Sequence, residues 1–275
     1  MCFCFLWVAC RIFYRKEFCM KRVVLSVVSL LFATSAFAEI ITKEVLYSQD
    51  SVTFKGYMAY DNKIKGKKPG ILVAHEWWGL NDFSKTKAKE LASLGYCAFA
   101  ADLYGNGKTA SDAKTAAQLA GEVRGTSRMR ERIVAGYNEM LKQEMVDSNR
   151  TAAIGFCFGG TAVLELAYSG AEVKGIVSFH GGLIAPKPGD MGKIKAKILI
   201  LHGADDPNVP RDMIDRVQDS FRKEKVDWQF IFFGNTVHAF TNPAAGNDNS
   251  KGMAYNPESA RRAWDYMKIF LHEIF

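Results

Sequence analysis

The chain has 275 residues, of which 48% are hydrophobic and 24% are charged, and its formal net charge is +7. This length and apolar content indicate a globular protein, with enough core-forming residues for one large α/β domain or two small ones. Part of the positive charge lies in the first 38 residues. The remainder has no Lys/Arg cluster interleaved with aromatic residues, so nucleic-acid binding is not indicated.

Residues 20–38 have the features of a secretory signal peptide. Lys21-Arg22 is a short basic region, residues 23–32 are apolar apart from serines, and Ala36-Phe37-Ala38 supplies the small-x-small pattern of a cleavage site. The apolar run is shorter than the roughly 20 residues that a membrane-spanning helix needs. Cleavage is therefore predicted rather than a retained anchor or any stable membrane insertion.

Residues 1–19 have no signal-peptide feature, so Met20 is interpreted as the true start and the preceding stretch as an over-extended one. Cleavage after Ala38 would leave a mature chain of residues 39–275, which contains no internal repeat and no long Pro/Ser-rich linker. We therefore expect a single domain of residues 39–275 in a periplasmic or secreted protein.

Of the six cysteines, only Cys97 and Cys157 follow the predicted signal peptide. Two cysteines in an exported protein do not form the disulfide framework of a small secreted scaffold. They could pair with each other, which would silence Cys157 as a nucleophile. Because Cys97 lies within a predicted strand, the unpaired state is favoured.

After residue 38, apolar segments of strand length alternate with segments of helical character. The predicted strands span residues 45–47, 52–60, 71–74, 96–101, 151–155, 175–179, 196–201 and 228–233, and the predicted helices span residues 82–94, 111–123, 128–143, 161–167, 210–223 and 259–274. This alternation predicts an α/β fold with a mostly parallel, doubly wound sheet and helices on both faces. Its functional site is expected at the carboxyl ends of the strands.

One predicted strand leads directly into Gly155-Phe156-Cys157-Phe158-Gly159-Gly160 and then into a helix. Gly-x-Cys-x-Gly between a strand and a helix is the nucleophile-elbow pattern of an α/β-hydrolase, with cysteine in place of serine. Its glycines permit a sharp turn, and the helix N-terminus favours a thiolate. Taken alone, the stretch is equally consistent with a glycine-rich turn that holds a structural cysteine.

The acid and the base of a catalytic triad can be sought after later strands. In α/β-hydrolases the chain order is nucleophile, acid and histidine. Asp205 and Asp206 follow the strand at 196–201, and His238 follows the strand at 228–233. A carboxylate at this point would orient His238 so that its second nitrogen takes the thiol proton. His238 could instead be an ordinary loop or core histidine.

The chain resembles the dienelactone hydrolase family over nearly all of the predicted mature length. The resemblance rests on His75-Glu76-Trp77-Trp78-Gly79, Asp102-Leu103-Tyr104, Gly155-Phe156-Cys157-Phe158-Gly159-Gly160, His202-Gly203-x-x-Asp206 and His238-Ala239-Phe240. It implies hydrolysis of esters and lactones without a cofactor by a Cys-His-Asp triad. The triad would be Cys157, His238 and Asp206. Asp206 is favoured over Asp205 because alignment with the family through the following Val209-Pro210 places Asp206 at the position of the acid.

The resemblance also implies that Glu76 lies near the thiol and takes part in activating it. The backbone amides of Trp77 and Phe158 would form the oxyanion hole, as the α/β-hydrolase fold implies. Trp78, Tyr104 and His180 are weaker candidates for substrate contact, since packing is the commoner role of such residues. No pair of histidines has the spacing of a metal site.

The chain departs from the founding dienelactone enzyme, whose substrate carboxylate is held by two arginines. The corresponding stretches here are Gly105-Asn106-Gly107-Lys108 and Thr241-Asn242-Pro243, and Arg124 or Arg128 could substitute along with Lys108. We therefore predict a monomeric hydrolase of small-molecule esters, lactones or thioesters. The alternative is a non-catalytic binding protein of the cell envelope with the same fold.

Overall fold

The computed structural model of the protein describes residues 38–275, so the predicted signal peptide and the residues before it lie outside the described residues, apart from Ala38. Eight strands of this part form one sheet. They are β1 (Ile40–Gln49), β2 (Val52–Asp61), β3 (Lys68–Ala74), β4 (Cys97–Ala101), β5 (Val146–Phe156), β6 (Gly175–Phe179), β7 (Lys197–Gly203) and β8 (Trp228–Phe233).

The strand order is β1-β2-β4-β3-β5-β6-β7-β8. β1 and β2 form an antiparallel hairpin at one edge, β2 also pairs antiparallel with β4, and every other pairing is parallel. The predicted mostly parallel α/β sheet is thereby confirmed. The strand order reverses at β3, because β4 lies on one side of it and β5 on the other, and such a switch point forms a crevice at the carboxyl ends of β3 and β5, where ligands bind in such folds.

In the described part of the chain, six α-helices cover the two faces of the sheet. They are α1 (Asp82–Ser93), α2 (Ala113–Gly121), α3 (Ser127–Leu141), α4 (Phe158–Tyr168), α5 (Arg211–Glu224) and α6 (Pro257–Ile274). The apolar residues of α1 and α6 form one core layer with one face of the sheet, and those of α2 to α5 form the second layer with the other face. Because both faces are covered, all five residues of β4 and of β6 are buried, as the continuous apolar runs predicted.

The structure extends β1 and β5 furthest beyond their predicted limits. β1 begins at Ile40 because residues 40–44, which include Thr42, Lys43 and Glu44, pair residue by residue with β2. β5 begins at Val146, since Val146 and Asp147 pair with Lys68 and Pro69 before a register shift. Backbone pairing defines these strand ends, whereas the apolar pattern that predicted them reports only burial.

Within residues 38–275, no helix has both the length and the apolar character required to cross a bilayer. Cys97 is buried at the first residue of β4, whereas Cys157 follows the last residue of the parallel strand β5. The two sulfur atoms therefore belong to opposite ends of the sheet, and both are unpaired. Burial raises the pKa of the Cys97 thiol to about 12, so this thiol stays protonated at neutral pH.

Candidate active site

Cys157 occupies the turn between β5 and α4 with a backbone φ of +54° and ψ of −114°. This conformation is strained for a residue with a side chain, and it projects the thiol away from the strand. The neighbouring glycines are required sterically. A side chain on Gly155 would collide with the backbone of Gly159, and one on Gly159 would collide with the Ala74 carbonyl. The sequence pattern therefore forms an elbow in the structure.

The thiol lies within hydrogen-bonding distance of His238, which in turn contacts Asp206. The Sγ atom of Cys157 is 3.1 Å from Nε2 of His238, and Nδ1 of His238 is 2.8 Å from Oδ2 of Asp206. Asp206 also accepts a 2.9 Å hydrogen bond from the Asn208 amide, whereas Asp205 is exposed. The structure thus brings together the three residues that the sequence singled out, and it separates Asp206 from Asp205.

Their electrostatics follow from this chain of contacts. Burial by itself would raise the pKa of Asp206, but the hydrogen bond from His238 and its charge keep that pKa below the ordinary value. Burial by itself would lower the pKa of His238, yet the Cys157 sulfur and the Asp206 carboxylate outweigh it and raise the pKa to about 10. His238 is therefore a strong enough base to take the proton of the Cys157 thiol, and Asp206 stays ionised at neutral pH.

The loop after β8 fixes the backbone of His238. The His238 amide donates to the Gly252 carbonyl at 3.2 Å, and the Ala254 amide donates to the His238 carbonyl at 3.0 Å. These two bonds bind residues 252–254 alongside the histidine as a short parallel bridge. They also place Met253 beside the thiol, a neighbour that no local sequence signal indicated.

Glu76 lies two residues after the end of β3. Its carboxyl group is buried, and its hydrogen-bond partner is an uncharged side chain. Its Oε2 accepts a 2.5 Å hydrogen bond from Nδ2 of Asn242, whose own Oδ1 accepts from the Ala244 amide. Burial raises the pKa of Glu76 to about 7, against the smaller opposing effects of Asn242 and His238. Because Asn242 is a neutral amide, this hydrogen bond gives the Glu76 carboxylate no cationic partner.

Tyr104 and His180 were weaker candidates for substrate contact, and the structure directs their polar atoms at other protein groups. The Tyr104 hydroxyl is directed at the protein, where it donates to the Trp77 carbonyl at 2.8 Å. His180 is fully buried behind the elbow, where Nδ1 accepts from the Cys157 amide at 3.1 Å and Nε2 contacts the Thr241 hydroxyl at 2.7 Å. Both side chains support residues of the site rather than line it, because their polar atoms are taken by protein groups.

His75 and His202 are also buried. Nδ1 of His75 contacts the Glu76 carbonyl at 2.6 Å, and its Nε2 accepts from the Leu103 amide at 3.1 Å. His202 packs against the rings of Phe230 and Phe232. Among the described residues, no group of three or more His, Cys, Asp or Glu side chains is arranged to hold a metal ion.

Two cavities open on the thiol. The larger, about 510 Å³, is lined by Trp77, Arg124, Cys157, Phe158, Thr161, Gly182, Leu183, Ile184, Asn208, Met213, His238 and Met253. The smaller, about 260 Å³, is lined by Glu76, Trp77, Trp78, Cys157, His238, Ala239, Asn242, Ala244, Ala245, Lys251 and Met253. Of the three predicted substitutes for the missing arginines, Arg124 lines a cavity and Lys108 and Arg128 line neither. A separate hollow of about 600 Å³ lies beside α3, away from the thiol.

The residues expected to supply the oxyanion hole both lie at this site. Phe158 is the first residue of α4, and the amides of a helix's first turn have no carbonyl partner within the helix. Trp77 follows β3, and it lines the larger cavity together with Phe158 and Cys157. The arrangement can hold an oxygen that gains negative charge next to the thiol.

The eight-stranded sheet, the strained elbow and the acid and histidine that follow later strands define an α/β-hydrolase. A profile of the dienelactone hydrolase family matches residues 54–275. This chain belongs to the dienelactone hydrolase family and is a carboxylic ester hydrolase.

Individual relatives agree with this assignment. A protein of Aquifex aeolicus named "Putative carboxymethylenebutenolidase" is 30% identical, with 80% of this chain and 94% of that protein covered. The solved structure of m3DLH is 41% identical with a TM-score of 0.83, covering 86% of this chain and 99% of the other. A dienelactone hydrolase-like promiscuous phosphotriesterase from metagenomic libraries is 39% identical with a TM-score of 0.82 and the same coverage.

Proposed function

We propose that this protein cleaves ester, lactone or thioester bonds through an acyl-enzyme on Cys157, with His238 and Asp206 completing a catalytic triad. The observation that carries the proposal is the unbroken chain of contacts from the Cys157 sulfur to His238 and on to Asp206, at 3.1 Å and 2.8 Å. A thiol and its base within hydrogen-bonding distance, with a carboxylate orienting the base, form an activated nucleophile.

In the acylation step, His238 takes the thiol proton, and the Cys157 sulfur attacks the substrate carbonyl. The amides of Trp77 and Phe158 stabilise the oxyanion of the tetrahedral intermediate. As the carbonyl re-forms, the bond to the leaving oxygen or sulfur breaks. His238 returns its proton to that leaving group, so an alcohol or thiol departs and a thioester remains on Cys157.

Deacylation repeats the sequence with water as the nucleophile. His238 removes a proton from water, the hydroxide attacks the thioester, and the bond between carbon and the Cys157 sulfur breaks. The acid product leaves and the thiol regains its proton from His238. Asp206 stays ionised throughout, which agrees with its lowered pKa, and it stabilises the protonated histidine in both steps.

We further propose that the enzyme acts on small molecules as an exported monomer. Export is supported by the basic, apolar and small-x-small pattern of residues 20–38. The test is N-terminal sequencing of the protein recovered from the envelope fraction. A first residue of Glu39 is expected, and a chain that keeps Met20 would contradict cleavage.

Turnover of short p-nitrophenyl esters tests the catalytic role of the triad. Cys157→Ala and His238→Ala should each lower kcat/KM about 10³-fold or more, because both the nucleophile and its base act in the acylation step. Cys97→Ala is the matched control, since that thiol is buried at the far end of the sheet and its removal should leave kcat/KM near wild type. Equal rates in all four proteins would favour a non-catalytic binding protein.

A further inference from the structure

The two cavities share a boundary at the reacting pair. Trp77, Cys157, His238 and Met253 line both of them, whereas their other lining residues differ. A carbonyl carbon bonded to the Cys157 sulfur would therefore stand between two separate spaces. Each substituent of that carbonyl can extend into its own cavity.

The cavities differ in size and in chemistry. The larger one holds Phe158, Leu183, Ile184 and Met213, and Arg124 is the one side chain with a permanent charge in its lining. The smaller one has half the volume, and its distinctive polar groups are the Glu76 carboxyl, the Asn242 amide and the Lys251 ammonium. Ala244 and Ala245 complete its wall with small side chains. A large apolar group fits the first cavity and a small polar group fits the second.

Hydrogen bonds hold the wall of the larger cavity in place. The Thr161 hydroxyl donates to the Gly182 carbonyl at 2.6 Å, and the Tyr168 hydroxyl donates to the Ile184 carbonyl at 2.8 Å. Further along the same loop, Arg130 forms a bidentate ion pair with Asp190 at 2.5 Å and 2.8 Å. The loop after β6 is thus tied to α3 and α4, and the cavity is formed before a substrate binds.

We propose that the substrate is an open-chain ester or thioester whose carbonyl lies at Cys157 between a bulky apolar group in the larger cavity and a small polar group in the smaller one. The side chain of Met253 forms the boundary between the two groups. This inference rests on the proposed function. In a small lactone the acyl and alcohol halves are joined in one ring and cannot diverge, so such a ring leaves one of the two cavities empty.

The test compares kcat/KM of bulky and small esters in variants that fill one cavity at a time. One pair is ethyl 4-phenylbutyrate and ethyl acetate, and the second is 4-phenylbutyl acetate and ethyl acetate. In one of these pairs, Ile184→Trp should lower the bulky-to-small ratio at least tenfold, and that pair identifies which half of the ester occupies the larger cavity. A ratio that changes less than threefold in both pairs overturns the proposal.

Two matched variants distinguish steric filling of the larger cavity from a general loss of activity. Ala245→Trp narrows the smaller cavity, so it should leave the affected ratio within threefold of wild type. Ile269→Trp adds the same ring at an exposed position of α6 and lines neither cavity, so it should change neither ester. If Ile269→Trp lowers the ratio as much as Ile184→Trp does, the effect is not steric and the proposal fails.

Replacing Met253 by a smaller residue supplies a second test, because it enlarges the opening between the two cavities. Met253→Ala opens the boundary, and kcat/KM for 4-phenylbutyl 4-phenylbutyrate, which is bulky on both sides, should rise at least fivefold relative to ethyl acetate. Met253→Leu keeps most of the volume, and it should remain within twofold of wild type in this ratio. Equal ratios in Met253→Ala and Met253→Leu would remove Met253 as the boundary.

Alkylation of Cys157, measured by intact-mass spectrometry, tests steric access through the larger cavity without requiring ester turnover. The sulfur displaces iodide from iodoacetamide or from N-benzyl-2-iodoacetamide, and His238 accepts the thiol proton. Ile184→Trp should slow the benzyl reagent at least fivefold more than iodoacetamide. If the esters are not cleaved but this selectivity appears, the proposed function fails and the cavity assignment stands. If the esters are cleaved through Cys157 without any selectivity, only the cavity assignment fails.

Discussion

Two buried carboxyl groups of the site, Asp206 after β7 and Glu76 after β3, have pKa values that are shifted in opposite directions. Both are nearly inaccessible, with exposed fractions of 6% and 2%. Asp206 contacts the His238 imidazole and the Asn208 amide, and its pKa is lowered. Glu76 receives its hydrogen bond from the neutral side chain of Asn242, and its pKa rises to about 7.

The difference shows that burial alone does not decide whether a carboxyl group is ionised. Desolvation is the largest single influence on both groups, and it acts in the same direction on both. The histidine partner reverses the outcome for Asp206, because a charge in contact outweighs the loss of water, whereas a neutral amide does not. One carboxylate is thus suited to orient a cation, and the other can change its charge near neutral pH.

The largest effect should come from removing the charge of Asp206. In Asp206→Asn the amide can hold His238 in the wrong tautomer, so we expect kcat to fall about 10³- to 10⁴-fold. Asp205→Asn is the matched control, since Asp205 is exposed and makes no contact with the histidine. Steady-state kinetics with p-nitrophenyl acetate measure both variants. Equal losses in the two would remove the special role of Asp206.

Glu76→Gln should stabilise the folded protein at alkaline pH. The folded-state pKa of Glu76 lies at about 7, above the ordinary 4.5, so ionisation destabilises the fold as the pH rises between these values. The destabilisation by the ionised carboxylate reaches its full size above pH 7. There, replacing the carboxyl group should raise the free energy of unfolding by about 3 kcal/mol. At pH 5 the gain should shrink to about 1 kcal/mol.

Urea denaturation at pH 8 and at pH 5 measures this difference. Glu144→Gln, at an exposed residue, provides the control for replacing a carboxyl by an amide, and its gain in stability should not differ comparably between the two conditions. A gain that is equal at both pH values would mean that the charge of Glu76 is not its source.

Glu76→Gln should also impair catalysis, and the rise in activation free energy should be smaller than the change in the free energy of unfolding at alkaline pH. If Glu76 takes part in activating the thiol, Glu76→Gln should lower the acylation rate about tenfold while KM changes little, because a general base acts on the reacting group rather than on binding. Wild-type kcat/KM should fall as the pH drops through about 7, where Glu76 gains a proton, and the variant should lose this titration. A burst assay with p-nitrophenyl acetate isolates acylation. Unchanged kcat/KM would discard the activating role.

The smallest effect is expected at the amide that contacts Glu76. Asn242→Ser keeps an acceptor for the Ala244 amide but removes the donor to Glu76, so the pKa of Glu76 should rise by less than about one unit. The pH midpoint of kcat/KM should move upward by the same amount. In a Glu76→Gln background the substitution should produce no such shift. A shift that persists there would show that Asn242 acts on another group.

Much of the fold and the elbow could be predicted because the necessary information is local. Strands such as 175–179 and 228–233 were placed at their observed limits, since their apolar runs are bounded by turn residues. The conformation of Cys157 depends on glycines within two residues of it, so a short motif contains the requirement. The order of Cys157, Asp206 and His238 also follows from the chain, because parallel strands bring their carboxyl ends to one edge of the sheet.

The tertiary structure alone decided which groups meet at that edge. Asn242 contacts Glu76 across 166 residues of sequence, and His180 reaches the Cys157 amide from the strand β6 side across 23. Such partners are set by how loops pack over the sheet, and no local pattern encodes them. The sequence by itself determined the sheet, the elbow and the candidate residues. Their charge states, and the two cavities that meet at Cys157, depend on distances of a few ångströms that only the folded chain defines.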